Sequence, residues 1–301
     1  MLQLHDEVPS AAEDTTNLHT PGSLQADINS LTYWSESFQM SFNLDKCHIL
    51  HLGKNNPKAS YTMYKTSSIR STTSAISYYL TFHQLTPVDT ETDLGVVVDN
   101  QLKFSHHVDD KVRKANRMLG IIKHTFKYMN KHIFTNLYKS LIRPHLEYAT
   151  PAWSPHLKRD KDKLENVQRR STKIVPELKH LTYEQRLTHL KLPTLQYRRL
   201  RSDLLLLYKL THSKTHMDTK THCTSCKHNC DMLTPSLSKH SRPHNLKYQI
   251  QHHTGIRNRF YTTRTLPTWN KLKHTTVNAA SINIFKTQLE SDPAMPEPTK
   301  Y

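Results

Sequence analysis

The stretch HCTSCKHNC, which ends at Cys230, concentrates the residue types that bind transition metals. Cys223 and Cys226 precede that cysteine, and His222 and His228 stand among the three. Thiolate and imidazole are the usual ligands of Zn²⁺, which takes four of them in structural sites. Such sites usually pair two separated clusters, and this chain has one. A zinc site and a set of reduced thiols therefore both stay open.

Basic side chains are the second group with a recognisable chemistry, and they are unevenly distributed. Residues 1–104 contain 6 Lys or Arg against 11 Asp or Glu, residues 105–210 contain 23 against 9, and residues 211–301 contain 13 against 5. Lys and Arg neutralise phosphates and release counterions, so this asymmetry favours a nucleic-acid partner over a merely solvated basic surface. The side chains expected to contact nucleic acid are Lys111, Arg113, Lys114, Arg117, Arg169, Arg170, Lys173, Arg198, Arg199 and Arg201.

Two tyrosines, Tyr183 and Tyr197, lie close in sequence to these clusters. Aromatic rings beside basic residues can stack on bases or sugars. The alternative, which we favour for both tyrosines, is that the rings pack between helices while the charged side chains stay in solvent.

Several protein classes lack support in this sequence. The five glycines are widely separated and form neither a P-loop nor a dinucleotide-binding fingerprint, and no GxSxG motif is present. No apolar run approaches the ~18–20 residues of a membrane span, and the first residues have no signal-peptide pattern. We therefore expect a soluble intracellular protein, in the nucleus or cytoplasm, with no membrane partner.

Apolar periodicity predicts the strands and the first helix. Residues 23–40 have helical spacing, with Ser23 as the N-cap. Alternating residues predict short strands within CHILHL, ASYTMYK and ISYYLTF, with TSSIRSTTSA as a loop before the last of them. A further strand over residues 94–98 is followed by a turn at Asp99 and Asn100 and another short strand.

The basic middle of the chain is predicted to be helical. A long helix capped by Ser105 has one apolar stripe. Pro144 and Pro176 each end a helix, because the residue before a proline is pushed out of the helical region. Two further helices are expected within residues 182–190 and 194–212. The stripe of the long helix consists of Val108, Val112, Ala115, Leu119, Ile122 and Phe126.

These elements predict an α+β fold, with a small antiparallel sheet followed by a basic helical bundle and a C-terminal extension. The predicted divisions are a disordered leader at residues 1–22, a strand-rich domain at 23–104, a helical domain at 105–212, a Cys/His-rich linker at 213–245, and a segment at 246–301 that packs back on the helices.

Five segments in a fixed order make the chain recognisable. They are LQADINSLTYWSESFQMSFNLDKCHILHLG, DTETDLGVVVDNQLKFSHHVDDKVRKANRMLGII, LYKSLIRPHLEYATPAWSPH, LENVQRRSTKIV and RNRFYTTRTLPTWNKLKHTTVNAASINIFKTQL. In this order and spacing they resemble the C-terminal portion of reverse transcriptases from non-LTR retrotransposons of the jockey and CR1 type. The resemblance covers residues 24–289.

The resemblance implies roles for these segments. The strand-rich domain would be a remnant of the polymerase palm, and the helical domain would be the thumb, which holds the RNA template and the DNA primer. Lys46, in FNLDKC, would lie near the incoming nucleotide and assist the pyrophosphate leaving group, or it is a solvated charge at a strand edge. The segment Asp93, Leu94, Gly95 and Val96 resembles the one that grips the primer end.

The catalytic site departs from the family pattern. Polymerases hold two metal ions with carboxylates, and in this family the Mg²⁺-binding pair lies in an FADD motif shortly before the LQxDI helix. Here the matching place reads SAAED, where Glu13 and Asp14 are a degenerate counterpart. The resemblance therefore implies a fragment that binds template and primer, holds no cofactor and is inactive alone. The alternatives are a zinc-stabilised nucleic-acid or protein interaction module derived from the element, and a decayed reading frame whose product does not fold stably.

Overall fold

The computed structural model describes residues 5–6, 21–53, 55–70, 76–216, 233–236, 244–251 and 255–301. The chain divides into two compact units, Met1–Leu102 and Lys103–Tyr301. The predicted division, after residue 104, lies two residues further along. The fold is mixed, with small sheets in the first unit and helices dominating the second.

The first unit is built on one helix and seven short strands among the described residues. Its core contains Ile28 from the helix and Ile49, Tyr61 and Met63 from the strand region, all at most 2% exposed. The elements are β1 (His5–Asp6), α1 (Pro21–Ser37), β2 (His48–His51), β3 (Thr62–Arg70), β4 (Ile76–Gln84), β5 (Thr86–Val88), β6 (Thr90–Asp93) and β7 (Val96–Asp99). Helix α1 begins at Pro21, two residues before the predicted cap, since proline suits the first helical turn.

The strands form three small sheets. β3 and β4 pair antiparallel over nine residues, β6 and β7 pair antiparallel over four, and β1, β2 and β5 form a parallel sheet in the order β1-β2-β5. The sequence predicts antiparallel sheet only, so the parallel arrangement corrects it. The predicted loop TSSIRSTTSA is also shorter than expected, because β3 continues to Arg70 through its pairing with Ile76.

The hairpin β6–β7 replaces the strand predicted over residues 94–98. Asp93 pairs with Val96, which leaves Leu94 and Gly95 as a two-residue turn. Their φ angles are +45° and +81°, and positive φ at both central positions is the mark of a type I′ hairpin turn. A turn follows β7 at Asn100 and Gln101, one residue later than expected, and residues 101–104 form no strand.

The second unit contains ten α-helices among its described residues. The first part holds α2 (Ser105–Thr125), α3 (Lys131–Leu137), α4 (Arg143–Glu147), α5 (Thr150–Trp153), α6 (Lys158–Thr172), α7 (Tyr183–Leu190) and α8 (Leu195–His216). The C-terminal part holds α9 (Tyr261–Trp269), α10 (His274–Val277) and α11 (Ile282–Glu290). A capping box starts α7, in which the Thr182 hydroxyl accepts from the Gln185 backbone and the Gln185 side chain accepts from the Thr182 backbone.

Helix α2 begins without the predicted cap. Ser105 is its first residue, and the N-cap is Phe104, whose φ is +58°. The Ser105 hydroxyl instead donates to Asp160 Oδ2 on α6 at 2.7 Å. Since Asp160 is fully buried, this contact anchors the beginning of α2 to α6.

Pro144 does not end a helix. A π-helical turn, Tyr138–Ile142, joins α3 to α4, and Pro144 is the second residue of α4. Proline has no N–H to donate to the preceding turn, and the π-helical turn directly before it changes the local hydrogen-bond pattern so that this missing donor is accommodated. The chain therefore stays helical from residue 131 to residue 147.

The C-terminal helices share one hydrophobic core with α8. The rings of Tyr208 and Phe285 stack with centroids 4.3 Å apart, and Trp269 lies 6.1 Å from the same phenylalanine. Trp269 and Phe285 are fully buried. This aromatic cluster joins residues separated by about a quarter of the chain into one packed body.

Candidate nucleic-acid interface

Helices α2 and α6 lie side by side and run in the same direction. Lys163 Nζ donates to Asp109 Oδ1 at 2.5 Å, and Arg170 donates to Asn116 Oδ1 at 3.1 Å. Each pair is 54 positions apart along the chain. A constant offset is the register of a parallel pair, so the basic residues of α6 are placed along α2 in a defined order.

A groove of about 380 Å³ lies at this helix pair. One wall residue comes from α2, and the others come from α6 and the residue that ends it. Positions 163, 166, 170 and 173 recur every three or four residues, so they share one face of the helix. The lining residues are Val112, Lys163, Asn166, Arg169, Arg170 and Lys173.

Two cations of the groove present their charge to solvent. Arg170 and Lys173 are exposed. The side-chain partner of Arg170 is the neutral amide of Asn116, and Lys173 has no ion pair among the described residues. Lys163 differs, because Asp109 and Asp160 lie 2.5 and 3.5 Å from its amino group.

Arg169 is held at the edge of the groove by aromatic rings. Its guanidinium carbon lies 4.9 Å from the centroid of Tyr183 and 5.5 Å from that of Tyr301. The Tyr183 hydroxyl donates to buried Glu165 at 2.5 Å, and burial raises the pKa of that tyrosine. Tyr183 is thus a packing residue that positions Arg169, and Tyr197 is buried, with 4% of its surface exposed. Neither ring is placed to stack on a base.

The outer face of α2 adds further positive charge. Arg113 and Arg117 are exposed, and Lys114 pairs with Asp110 at 2.8 Å. Lys111 does not belong to this face, because its side chain is only 10% exposed. Burial lowers the pKa of Lys111. The prediction that Lys111 contacts nucleic acid is therefore corrected, since little of its side chain is accessible.

The arginines of α8 either pair with carboxylates of the same unit or are buried. Arg198 makes two hydrogen bonds to Glu147 on α4, and Arg201 donates to Glu290 on α11 at 2.9 Å. Arg199 is only 4% exposed. These three arginines do not extend the α2–α6 groove, and burial removes Arg199 from any surface that could contact a nucleic acid.

The residues expected to belong to a polymerase palm occupy two separate places in the first unit. Lys46 is exposed and ends the 3-10 turn Leu44–Lys46, immediately before β2. Asp93–Val96 forms the tip of the β6–β7 hairpin, where Leu94 is 84% exposed. Cys47, next to Lys46, is buried in the core, and burial raises the pKa of its thiol.

The carboxylates Glu13 and Asp14 and the ligand set His222, Cys223, Cys226 and Cys230 lie outside the described residues. Within the part of the chain that the structure describes, no three His, Cys, Asp or Glu side chains form a group that could hold a metal ion. Of the two carboxylates on β6, Glu91 lies 3.1 Å from His48 Nδ1, and Asp93 lies at the tip of the β6–β7 hairpin. The described residues therefore do not fit a two-metal catalytic centre.

Several groove residues escaped the sequence-based prediction. Lys163, Asn166 and Val112 line the groove, and Asn116 orients Arg170. Lys163 could have been found from its spacing, since it stands seven residues before Arg170 on the same helical face. Asn116 could not, because its role depends on a helix contact 54 positions away.

Compared with known proteins, the chain matches no family model, and no curated protein or solved structure is significantly similar to it. Among the described helices, none combines the length and the apolar composition that crossing a membrane requires.

Proposed function

We propose that the chain binds nucleic acid through the α2–α6 groove, and that it is the thumb-containing C-terminal portion of a non-LTR retrotransposon reverse transcriptase of the jockey and CR1 type. The observation that carries the proposal is the exposed pair Arg170 and Lys173, which stands in a groove between two registered helices. The order of the five sequence segments supports the family assignment, and an RNA template with a DNA primer is the proposed partner.

The chemistry of the groove suits a phosphate backbone. Arg170 and Lys173 can each neutralise a phosphate, and every neutralised phosphate releases counterions from the nucleic acid. Arg113 and Arg117 on the neighbouring helix continue the positive surface. No described aromatic ring in the groove is free to stack on a base, so the proposed binding is to the backbone and is not sequence-specific.

The proposed activity is binding without synthesis. Phosphoryl transfer by a polymerase needs two carboxylates that hold Mg²⁺, and the corresponding motif at Glu13 and Asp14 departs from the family's pair of aspartates. In an intact relative the ions would activate the primer hydroxyl and stabilise the leaving group. Lys46 alone can stabilise developing negative charge but cannot align these two groups.

Fluorescence anisotropy with a labelled RNA–DNA hybrid tests the binding. We expect Arg170→Gln/Lys173→Gln to weaken affinity about tenfold, because two phosphate contacts are lost. The matched control is Lys209→Gln/Lys271→Gln, two exposed lysines that do not line the groove. Both variants lower the net charge of +17 by two. Equal losses in the two variants would show that net charge alone governs affinity and would overturn the groove as the interface.

Primer extension on a primed RNA template with Mg²⁺ tests the absence of synthesis. The expected result is no nucleotide incorporation by the wild-type chain. Incorporation that Asp14→Ala abolishes would contradict the proposal, because it would make the degenerate motif a working metal site.

A further inference from the structure

A second basic cavity lies beside α8, and it shares no lining residue with the α2–α6 groove. Its volume is about 390 Å³, and it lies among the 131–147 helix, the α7–α8 connection, α8 and the C-terminal end of the chain. We call it the α8 cleft. Six charged side chains line it, and five are cationic: Lys139, Arg143, Lys191, Arg198 and Arg201, with Glu290 as the sixth. None of them lines the α2–α6 groove.

The α8 cleft has more cationic side chains than carboxylates to pair with them. Glu290 pairs with Arg201 at 2.9 Å, and Glu147 accepts from Arg198 and lies 3.7 Å from Arg143. Two carboxylates thus serve three arginines. Lys139 and Lys191 are exposed and have no ion pair within the described residues. A ligand that enters the cleft meets a surface with unbalanced positive charge.

Two buried polar groups, one lining this cleft and one lining the cavity beside it, lack a hydrogen-bond partner among the described residues. One is the hydroxyl of Tyr197, a residue that lines the cleft and is 4% exposed. The other is the guanidinium of Arg199, whose two terminal nitrogens are both unpaired. Arg199 lines an adjacent cavity of about 140 Å³ that shares Arg198 and Arg201 with the cleft. Buried polar groups in proteins are usually hydrogen-bonded, so these two groups are available to a partner other than the described residues.

The neighbouring carboxylates do not supply that partner. Glu165 accepts from the Leu195 amide at 3.0 Å and from the Tyr183 hydroxyl. Asp203 is held by Arg264 in a two-point contact of 2.9 and 3.1 Å. Both carboxylates lower the cost of burying Arg199 without bonding to its terminal nitrogens.

We propose that the α8 cleft binds a phosphomonoester with a ring-sized organic group, such as a nucleoside monophosphate. The phosphate supplies acceptor oxygens and negative charge for the arginines and for the Tyr197 hydroxyl. The organic group fits the apolar part of the wall, which Leu187, Leu192 and Pro298 form. A volume of about 390 Å³ falls within the usual range of small-molecule sites, about 300–1,000 Å³.

Isothermal titration of the full chain at constant ionic strength tests the proposal, with adenosine 5′-monophosphate as the probe. Inorganic phosphate and adenosine separate the two parts of the ligand. We expect the monophosphate to bind more tightly than inorganic phosphate, and adenosine to bind most weakly. Adenosine binding as tightly as the monophosphate, or no binding of either phosphate compound, would overturn the proposal.

Two variants locate the site. Lys139→Gln/Lys191→Gln removes two exposed charges, and we expect it to weaken monophosphate binding about tenfold or more, the effect of losing charge-assisted contacts. The control Arg170→Gln/Lys173→Gln removes the same charge from the α2–α6 groove and should leave this affinity unchanged. Equal weakening by both variants would assign the effect to net charge and contradict a site in the cleft.

Tyr197→Phe gives an independent readout that does not depend on charge. Its hydroxyl has no partner among the described residues, so its removal should leave the thermal unfolding midpoint unchanged or raised. We expect monophosphate affinity to fall about tenfold, as for a lost hydrogen bond to a charged acceptor. Unchanged affinity in this variant would contradict the assigned role of the hydroxyl. Since nucleic-acid binding is measured with the groove variant, the two proposals can fail separately.

Discussion

Arg170 on α6 donates a hydrogen bond of 3.1 Å to Asn116 on α2. The same two helices are joined by Lys163 and Asp109 at 2.5 Å, seven residues earlier on each. Two contacts with one offset specify how far α6 is shifted along α2. Because Arg170 is held by a neutral amide, its charge remains available to a phosphate while its position is set by the protein. This combination distinguishes Arg170 from the arginines of α8, whose charges are paired or buried.

The first prediction concerns the pair Arg264 and Asp203, which joins α9 to α8. The guanidinium makes two bonds to the carboxylate, of 2.9 and 3.1 Å, and a third of 2.6 Å to the Pro151 carbonyl. The Asp203 side chain is 5% exposed. Arg264→Ala leaves this carboxylate buried and unpaired, so we expect the free energy of unfolding to fall by about 3 kcal/mol. Urea denaturation measures the change.

A matched control for that variant is Lys114→Ala. Lys114 pairs with Asp110 at 2.8 Å, but its side chain is 51% exposed, and exposed pairs contribute only about 0–1 kcal/mol. Arg264→Ala costing no more than Lys114→Ala would contradict the role assigned to the Asp203 contact.

The second prediction concerns His107, whose ring is fully buried 4.7 Å from the ring of Trp153. Burial, with the Lys111 charge as a smaller cause, lowers the pKa of His107 from 6.5 to about 4. Between these values the unfolded chain binds a proton that the folded chain does not, so stability falls as the pH falls from 6.5 to 4. The loss amounts to roughly 3 kcal/mol.

Urea denaturation over this pH range measures the contribution of His107. In His107→Gln that part of the pH dependence should disappear, and stability should depend less steeply on pH between 4 and 6.5. The control is His106→Gln, since His106 is exposed and should keep the wild-type dependence. Equal pH dependence in the two variants would contradict a buried neutral imidazole at position 107.

The third prediction concerns Leu94, at the tip of the β6–β7 hairpin. Its φ of +45° is unfavourable for leucine, and its side chain is 84% exposed. Asparagine tolerates this conformation, so Leu94→Asn should stabilise the hairpin by about 0.5–1 kcal/mol. Slower hydrogen exchange of the β6 and β7 amides would show it. Leu80→Asn is the control, because Leu80 is exposed in a strand and has no positive φ. If the β6 and β7 amides exchanged faster in Leu94→Asn than in this control, the proposed strain at Leu94 would be refuted.

Local patterns were the most predictable part of the fold. Of the six residues predicted for the stripe on α2, Val108, Ala115, Leu119 and Ile122 are buried, Val112 is half-buried, and Phe126 is 39% exposed just beyond the end of the helix. A helical period brings such residues to one face whatever the neighbouring element is. The sequence also predicts α6 and α7, but α6 ends at Thr172, short of Pro176, and that proline begins a separate 3-10 turn.

Backbone irregularities and distant contacts were not predictable. Pro144 ends no helix because a π turn precedes it, and Ser105 caps no helix because its hydroxyl bonds to Asp160 on α6. The pattern of apolar residues contains no information on the π turn or on the contact with α6. Residue type alone indicated a helix end at the proline and a cap at the serine.

The sequence predicted the type of candidate site but not which residues form it. Lys and Arg counts indicated a basic helical unit, and Arg169, Arg170 and Lys173 indeed line one groove. Arg199 has the same residue type, yet it is buried. Whether an arginine faces solvent depends on which helices cover it, and that requires the tertiary structure.

The central claim is that Arg170 and Lys173 contact phosphates, and the salt dependence of duplex DNA binding tests it most directly. The logarithm of affinity should fall linearly with the logarithm of salt concentration, and Arg170→Gln/Lys173→Gln should reduce the magnitude of that slope by about two. Lys209→Gln/Lys271→Gln should keep the wild-type slope. A wild-type slope in the groove variant, or affinity that does not change with salt, would contradict the account.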